Sequence, residues 1–168
     1  MTKLEKVLHS MENRDIMKKK GRKRVSTAMC KACELAKYAI NECLDNGLKI
    51  DTPKVQKLLV LMHGIHLNRY GKHLFTESVE AWECGVAIKE VHKAFKHYIF
   101  GITEKQTCYI MLLESEEEVV HEVINNYGAM DVFEISQDPR LQFLVSKFYE
   151  VGKKVEIPNE EIRKAFKE

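Results

Sequence analysis

The sequence lacks the long apolar runs that mark membrane-spanning proteins. Nothing in it approaches the roughly 18 apolar residues needed to cross a bilayer. The basic N-terminus is not followed by an apolar stretch, so we expect no secretory signal. The five cysteines are an odd number in a chain that is long enough to bury a core without disulfides. We therefore expect a cytoplasmic protein with reduced thiols and no contact with a membrane.

The sequence also lacks the glycine motifs that hold phosphates. It contains neither GxxxxGK[ST] nor GxGxxG after a strand. Its acidic runs, such as ESEEE from residue 114, have no obvious catalytic partner and are typical of a solvated helix face. A Cys–His nucleophilic pair stays open among five cysteines and seven histidines, although no local pattern marks one. We expect no enzyme activity and no cofactor.

What the chain does have is helical periodicity. With 168 residues, 45% hydrophobic and 31% charged, it fits one globular domain. We predict a mainly α fold: a single compact helical domain over residues 28–168, with at most a few short β-strands. A basic N-terminal arm over residues 1–27 precedes it.

The arm carries the positive charge of the molecule. Residues 1–24 hold nine Lys or Arg and three acidic residues, whereas the whole chain has a formal net charge of only +2. The favoured interpretation is a flexible, solvated arm. The alternative is contact with phosphates or with an acidic partner surface. The side chains available for such contacts are Lys18, Lys19, Lys20, Arg22, Lys23 and Arg24.

Capping residues predict where the first two helices begin and end. Ser26 or Thr27 can cap the first, and Gly47 can end it. Asp51 or Thr52 can cap the second, which Gly71 ends. Pro53 suits its first position. The first helix has a predicted inner stripe of Ala28, Leu35, Ala36, Ala39, Ile40, Cys43 and Leu44; the second has one of Val55, Leu58, Leu59, Met62, Ile65 and His66.

The second half of the chain has weaker signals. We predict helices over 87–98 and 114–128, and a short helix or turn at DVFEIS. Asp138 and Pro139 are expected to open a helix that closes at Gly152, before a final short helix in IPNEEIRKAF. VEAWECG, from residue 79, is predicted to form a turn of helix. Residues 106–113 fit a buried strand or a helix equally well.

Two cysteines and two histidines have spacings that metal ligands use. Cys30 and Cys33 form CxxC, and His63 and His66 form HxxH, so two adjacent helices could present a Cys2His2 zinc site. The spacing between the pairs is unlike that of a zinc finger, and core packing is the favoured interpretation. The other three cysteines are expected to pack as small hydrophobes: Cys43, Cys84 and Cys108.

LLVLMHGIHLNRYGKHLF, residues 58–75, reads better as a core helix ending in a turn than as an active site. His66 lies on the apolar face, where a hydrogen-bonded core histidine is the ordinary case. His63 and His73 are expected near its edge or in the turn. Gly64 would let another helix or Trp82 approach closely.

The stretch from residue 52 to 82 resembles the Panacea domain, the SocA-like or phage-associated GepA family. The matching residues are Thr52, Pro53, Lys57, Leu58, Leu59, Gly64, His66, Leu67, Tyr70, Gly71, Leu74, Phe75, Ala81 and Trp82. The resemblance extends more loosely over residues 34–168, with departures at two points. Val86 stands where the family has a proline, and SQDP (136–139) stands in place of a Thr-His pair.

The resemblance implies a mostly helical fold and no established catalytic activity. Panacea members act as antitoxins that neutralise toxic proteins by direct binding, often on phages and mobile elements. We therefore expect a non-enzymatic inhibitor with a protein partner, whose identity the departures leave open. The expected partner surface consists of Tyr70, Phe75, Trp82, Gly85, Val86 and Glu90.

Two alternatives to the antitoxin role stay open. One is a phage or mobile-element anti-defence protein, such as an anti-CRISPR inhibitor of a nuclease. The other is an accessory protein that binds nucleic acid through the basic arm. Trp82, the single tryptophan, is either a core aromatic or the anchor of the partner surface.

Overall fold

The computed structural model describes residues 29–168 and has the predicted mainly α architecture. Within this range lie seven helices: α1 (Lys31–Asp45), α2 (Thr52–Tyr70), α3 (Lys89–Phe95), α4 (Glu114–Tyr127), α5 (Val132–Ser136), α6 (Pro139–Phe148) and α7 (Asn159–Ala165). Three short strands complete the fold: β1 (Val79–Trp82), β2 (Gly85–Ile88) and β3 (Val155–Ile157). The predicted arm, residues 1–27, lies outside the described residues.

Helix α2 is the centre of the molecule. It packs against α1, α3, α4, α5, α7 and β2, so nearly every side chain along it is buried. Asp51 caps its start by accepting a hydrogen bond from the Lys54 amide at 2.8 Å, and Pro53 lies in its first turn. Gly71 ends it in the left-handed conformation at φ 63°. The predicted boundaries of this helix are confirmed.

Helix α1 begins later than the sequence pattern predicts. Cys30 is its N-cap, and the Cys30 Sγ accepts a hydrogen bond from the Cys33 amide at 3.2 Å. Ser26, Thr27 and Ala28, which the prediction placed at the start of this helix, lie outside the described residues. The inner stripe from Leu35 to Cys43 is buried as predicted.

The segment VEAWECG forms a β-hairpin, so the predicted helical turn is wrong. Strand β1 pairs antiparallel with β2, with Trp82 opposite Gly85, and on its other edge with β3. Gly85 has φ 117°, a conformation that residues with a side chain rarely adopt. The glycine allows β2 to begin directly after the turn. Strand β3 comes from the far end of the chain, which local periodicity does not reveal.

Residues 106–113 belong to no helix or strand but run extended along α1. The Asn41 side chain donates to the Gln106 carbonyl at 2.8 Å and accepts from the Gln106 amide at 2.7 Å. The Glu34 carboxylate accepts from the Tyr109 amide at 2.9 Å. These side chains satisfy backbone groups that a helix or a sheet would otherwise pair, so the segment is ordered without being either.

The remaining helices lie in or close to their predicted ranges. Helices α4, α5 and α7 form where the sequence predicts them, and α3 covers only the middle of the predicted range 87–98. Asp138 caps α6 by accepting from the Arg140 amide at 2.9 Å, but α6 ends at Phe148 and not at Gly152. Between residues 29 and 168, no helix combines the length and the apolarity that crossing a bilayer requires.

Candidate functional site

The β1–β2 hairpin brings together four of the six residues expected to contact a partner. Trp82, Gly85 and Val86 belong to the hairpin itself, and Glu90 is exposed in the first turn of α3, directly after β2. Glu83 and Cys84 form the turn between the strands and are exposed. We call residues 79–90 the hairpin face.

Tyr70 and Phe75 lie away from the hairpin face. Tyr70 ends α2, and its hydroxyl donates to the Glu118 carboxylate of α4 at 3.1 Å. Phe75 is only 1% exposed and stacks on the His63 ring with 4.2 Å between centroids. Phe75 therefore supports the core, and its side chain does not reach the surface that a partner would meet.

Trp82 is a fixed wall of the hairpin face. Its indole Nε1 donates to the Glu80 carboxylate at 2.6 Å, and the Lys154 ammonium lies 4.1 Å above the ring centroid. The His92 ring meets it edge-on, with 5.1 Å between centroids. Trp82 is only 8% exposed, so it shapes the surface from within and does not project from it.

Lys57 of α2 extends beneath the hairpin turn. Its side chain is buried, and its Nζ donates to the Cys84 carbonyl at 3.2 Å. A Cβ on Gly85 would lie 3.2 Å from that Nζ, so the glycine leaves room for the ammonium. Burial lowers the pKa of Lys57, which the nearby Cys84 and Asp51 only partly oppose. Among the described residues, no carboxylate forms an ion pair with it.

Two cavities flank the hairpin turn and share Lys57, Cys84 and Val86 as walls. One, of about 290 Å³, lies towards α6 and includes Leu141 and Val145 in its lining. The other, of about 330 Å³, lies towards α3 and is lined further by Thr52, Pro53, Gln56, Trp82, Ala87, His92, Lys96, Tyr98 and Ile99. The side chains that line these two cavities include no Asp or Glu.

The walls of the cavity towards α3 are held by hydrogen bonds from α2. Gln56 accepts from the Ile88 amide at 2.9 Å and donates to the Ile88 carbonyl at 3.2 Å. The Thr52 hydroxyl donates to the Phe95 carbonyl at 2.9 Å. Buried polar side chains thus connect β2 and α3 to the central helix, and the cavity is preformed.

The candidate zinc ligands make other contacts, although the second ring nitrogens, His63 Nδ1 and His66 Nε2, are buried without a hydrogen-bond partner within the described chain. His66 Nδ1 hydrogen-bonds the Lys72 carbonyl at 2.8 Å, which makes it the hydrogen-bonded core histidine that was predicted. Cys30 caps α1, and burial raises the pKa of both Cys30 and Cys33. In the part of the chain from residue 29 onwards, no group of three or more His, Cys, Asp or Glu is placed to hold a metal ion.

His63 is fully buried, so its predicted position near the helix edge is wrong. Its Nε2 hydrogen-bonds the Asn159 side chain of α7 at 2.9 Å. Asn159 also donates to His73 Nδ1 at 3.0 Å, which connects the exposed His73 to the same cluster. Burial lowers the pKa of His63 to about 4, against the opposing effect of the Asn159 hydrogen bond. Several elements pack around α2 at this point, so the edge of its apolar face, where His63 lies, is also buried in the core.

The remaining cysteines differ in exposure. Cys43 is fully buried, as expected for a small hydrophobe, and Cys108 is half-buried. Cys84 is exposed at the hairpin turn, so the expectation that it packs in the core is wrong. Its position follows from the β-hairpin, which the sequence pattern did not reveal.

Sequence reasoning missed the role of Lys57. Lys57 entered it only as a family match, because a lysine on a single-face amphipathic helix is expected to point to solvent. The available signal was the continuous apolar run directly after it, from Leu58 to Met62, which is too wide for one face of a helix. The six basic side chains from Lys18 to Arg24 lie outside the described residues.

The comparisons with known proteins identify a family. A family model described as "Antitoxin SocA-like, Panacea domain" matches residues 55–138, which is half of the chain. The matched range includes most of α2, the whole hairpin face and helices α3 to α5. No curated protein matches the chain, and no solved structure matches it either.

Proposed function

The chain belongs to the SocA-like antitoxin family with a Panacea domain, and from this membership we propose that it is a cytoplasmic, non-enzymatic inhibitor that neutralises a toxic protein by binding it. The family gives the chain a role of the toxin–antitoxin type. The observation that carries the proposal is the match over residues 55–138. The mechanism proposed is occlusion, in which the inhibitor covers the working surface of its partner.

The hairpin face is the surface we assign to the partner. It combines an exposed turn at Glu83 and Cys84 with a preformed cavity on either side. Such a preformed surface loses little conformational entropy on binding. The buried Trp82 supports this surface from within the fold.

The contacts of the histidines and cysteines favour binding over turnover. His63 and His66 are buried and hydrogen-bonded to Asn159 and to Lys72. Burial raises the pKa of Cys30 and of Cys33, so their thiols stay protonated and are weak nucleophiles. A catalytic thiol would need a lowered pKa, and a histidine acting as general base would need access to the substrate.

Capture of the partner from the native host tests the proposal. We would compare the wild-type chain with Cys84→Arg, which adds bulk and charge to the exposed hairpin turn. Thr107→Arg is the matched control, because it adds the same side chain to an exposed residue of the segment along α1. Loss of capture with Cys84→Arg alone, with unchanged circular dichroism, supports the hairpin face. Equal capture by both variants contradicts it.

The identity of the captured protein separates the antitoxin role from the anti-defence role. A toxic protein encoded beside the chain supports the first, and a defence nuclease supports the second. Val86, which stands in place of the family's proline and keeps the second role open, is 3% exposed and lines both cavities. It changes the shape of the cavities beneath the turn rather than the exposed surface.

The nucleic-acid role depends on the basic arm alone. Deleting residues 1–24 is expected to abolish any such binding, and the measured affinity should fall steeply with salt. Residues 25–168 together have a net negative formal charge, which disfavours nucleic acid as the main partner.

A further inference from the structure

The ammonium of Lys57 lacks the partners that a buried charge needs. Its side chain is 4% exposed, and one carbonyl, that of Cys84 at 3.2 Å, accepts from it. An ammonium has three donors, and burying it without a counter-charge is unfavourable. The site is therefore short of acceptors and of negative charge.

Lys54, one turn earlier on α2, shows what a structural buried lysine looks like here. It is also 4% exposed, but its Nζ donates to the Lys49 carbonyl at 2.7 Å and to the Gly128 carbonyl at 2.5 Å. It thereby joins the start of α2 to the residue after α4. Lys57 connects α2 only to the hairpin turn, and it does so through one hydrogen bond at 3.2 Å where Lys54 makes two shorter ones.

The cavity towards α3 adds positive charge and aromatic surface to Lys57. Lys96 supplies the positive charge, His92 also lines the cavity, and no acidic side chain does. Its other walls include Trp82, Tyr98 and Ile99, which are apolar or aromatic. A ligand that complements these walls carries a carboxylate at one end and an apolar group beside it.

We propose that this cavity binds a carboxylate of the partner protein, carried on an acidic peptide segment with an apolar or aromatic neighbour. The carboxylate contacts Lys57 beneath the hairpin turn, and the apolar group lies against Trp82 and Tyr98. The volume of about 330 Å³ suits one or two side chains. This inference rests on the proposed function, because it names the chemistry that the hairpin face recognises.

Two small probes test the site without the partner. Phenylacetate carries the carboxylate and an aromatic ring, and phenylacetamide has nearly the same shape without the charge. Trp82 is the single tryptophan, so its fluorescence and its indole N–H signal report on this cavity. We would titrate both probes into the full-length chain, into Lys57→Met and into Lys93→Met, an exposed lysine of α3 outside the cavity lining.

We expect phenylacetate to bind at least about tenfold more tightly than phenylacetamide. This difference in affinity is what one charge-assisted hydrogen bond contributes. Lys57→Met should remove this preference, and Lys93→Met should keep it. Equal affinity for the two probes in the wild-type chain, or a preference that survives in Lys57→Met, overturns the proposal.

Partner capture separates this inference from the proposed function. Lys57→Met should weaken capture at least about tenfold, like Cys84→Arg. If Cys84→Arg abolishes capture and Lys57→Met captures as well as wild type, the hairpin face stands and the carboxylate site is overturned. If both variants capture normally, the assignment of the hairpin face itself fails.

Discussion

Gly64 shows at the scale of one residue why α2 tolerates a poor helix former at its centre. The ring of Phe166, which follows α7, lies against it so closely that a Cβ on Gly64 would be 2.4 Å from two ring carbons. Of the two predicted neighbours, another helix or Trp82, the first is confirmed, because Phe166 is the C-cap of α7.

Gly64→Ala should destabilise the protein although alanine favours helices by about 1 kcal/mol over glycine. We expect a net loss of about 1–3 kcal/mol in the free energy of unfolding, because the Phe166 ring must move out of a packed core. Urea unfolding measures it. In the double variant with Phe166→Leu, the added methyl group should cost much less. Additive losses would show that the ring is not the cause.

His63 makes the stability of the fold depend on pH. Its pKa is about 4 in the folded chain, against an ordinary value of 6.5. Below pH 6.5 the unfolded chain binds a proton at His63, whereas the folded chain binds it only near pH 4. The free energy of unfolding therefore falls as the pH falls from 6.5 to 4. The general linkage puts the full loss at about 3 kcal/mol.

The measurement for His63 is the free energy of unfolding of wild type and His63→Gln between pH 7 and pH 4. The wild-type curve should fall more steeply with acidity than the variant curve, most clearly above pH 5. The fold also holds the pKa of three carboxyl groups low, so their protonation in acid lowers the free energy of unfolding too. They contribute equally to both curves: Glu34, Glu116 and Asp138. Parallel curves would contradict the assignment.

Lys57 and Lys54 should respond oppositely to the same substitution. Lys57→Met removes a buried, poorly paired ammonium and keeps a similar length, so the unfolding free energy should stay equal or rise by about 1–3 kcal/mol. Lys54→Met leaves the Lys49 and Gly128 carbonyls without their donor and should cost about 1–3 kcal/mol. Chemical unfolding at pH 7 measures both. A clear loss with Lys57→Met would mean that the ammonium supports the fold.

At the scale of elements, the segment 106–113 depends on two side chains of α1. Asn41→Ala removes both hydrogen bonds to Gln106, each worth about 1 kcal/mol. The Gln106 amide should then exchange its hydrogen at least about tenfold faster. Asn46→Ala, a change at an exposed residue beyond the end of α1, should leave that rate unchanged. A Gln106 rate unaffected by Asn41→Ala would show that the segment is held elsewhere.

Local chemistry predicted the helices better than the sheet. Asp51, Pro53 and Gly71 specify α2 within a few residues of its own backbone, and the structure confirms that helix. The strands are only three or four residues long, and β1 pairs with β3 from the other end of the chain. No short window of sequence contains both β1 and β3, and β1 and β2 are each too short for their periodicity to distinguish a hairpin from a helical turn.

For the whole molecule, the family could be predicted from sequence, but the chemistry of the site could not. The motif from Thr52 to Trp82 led to the family that the match over residues 55–138 establishes. The burial of Lys57, and its place between two cavities, depends on α3, α6 and the hairpin, which come from separate parts of the chain. Periodicity along α2 carries no information on how many neighbours it has.

We propose that this chain acts by covering a partner with its hairpin face. Cys84 is the exposed cysteine of the described chain and lies at the hairpin turn, whereas Cys108 is half-buried beside α1. The most direct test is the rate at which iodoacetamide alkylates each thiol in the free chain and in the captured complex, followed by mass spectrometry. We expect a saturating partner to slow the alkylation of Cys84 at least about tenfold and to leave the alkylation rate of Cys108 unchanged. An unchanged Cys84 rate in the complex would contradict it.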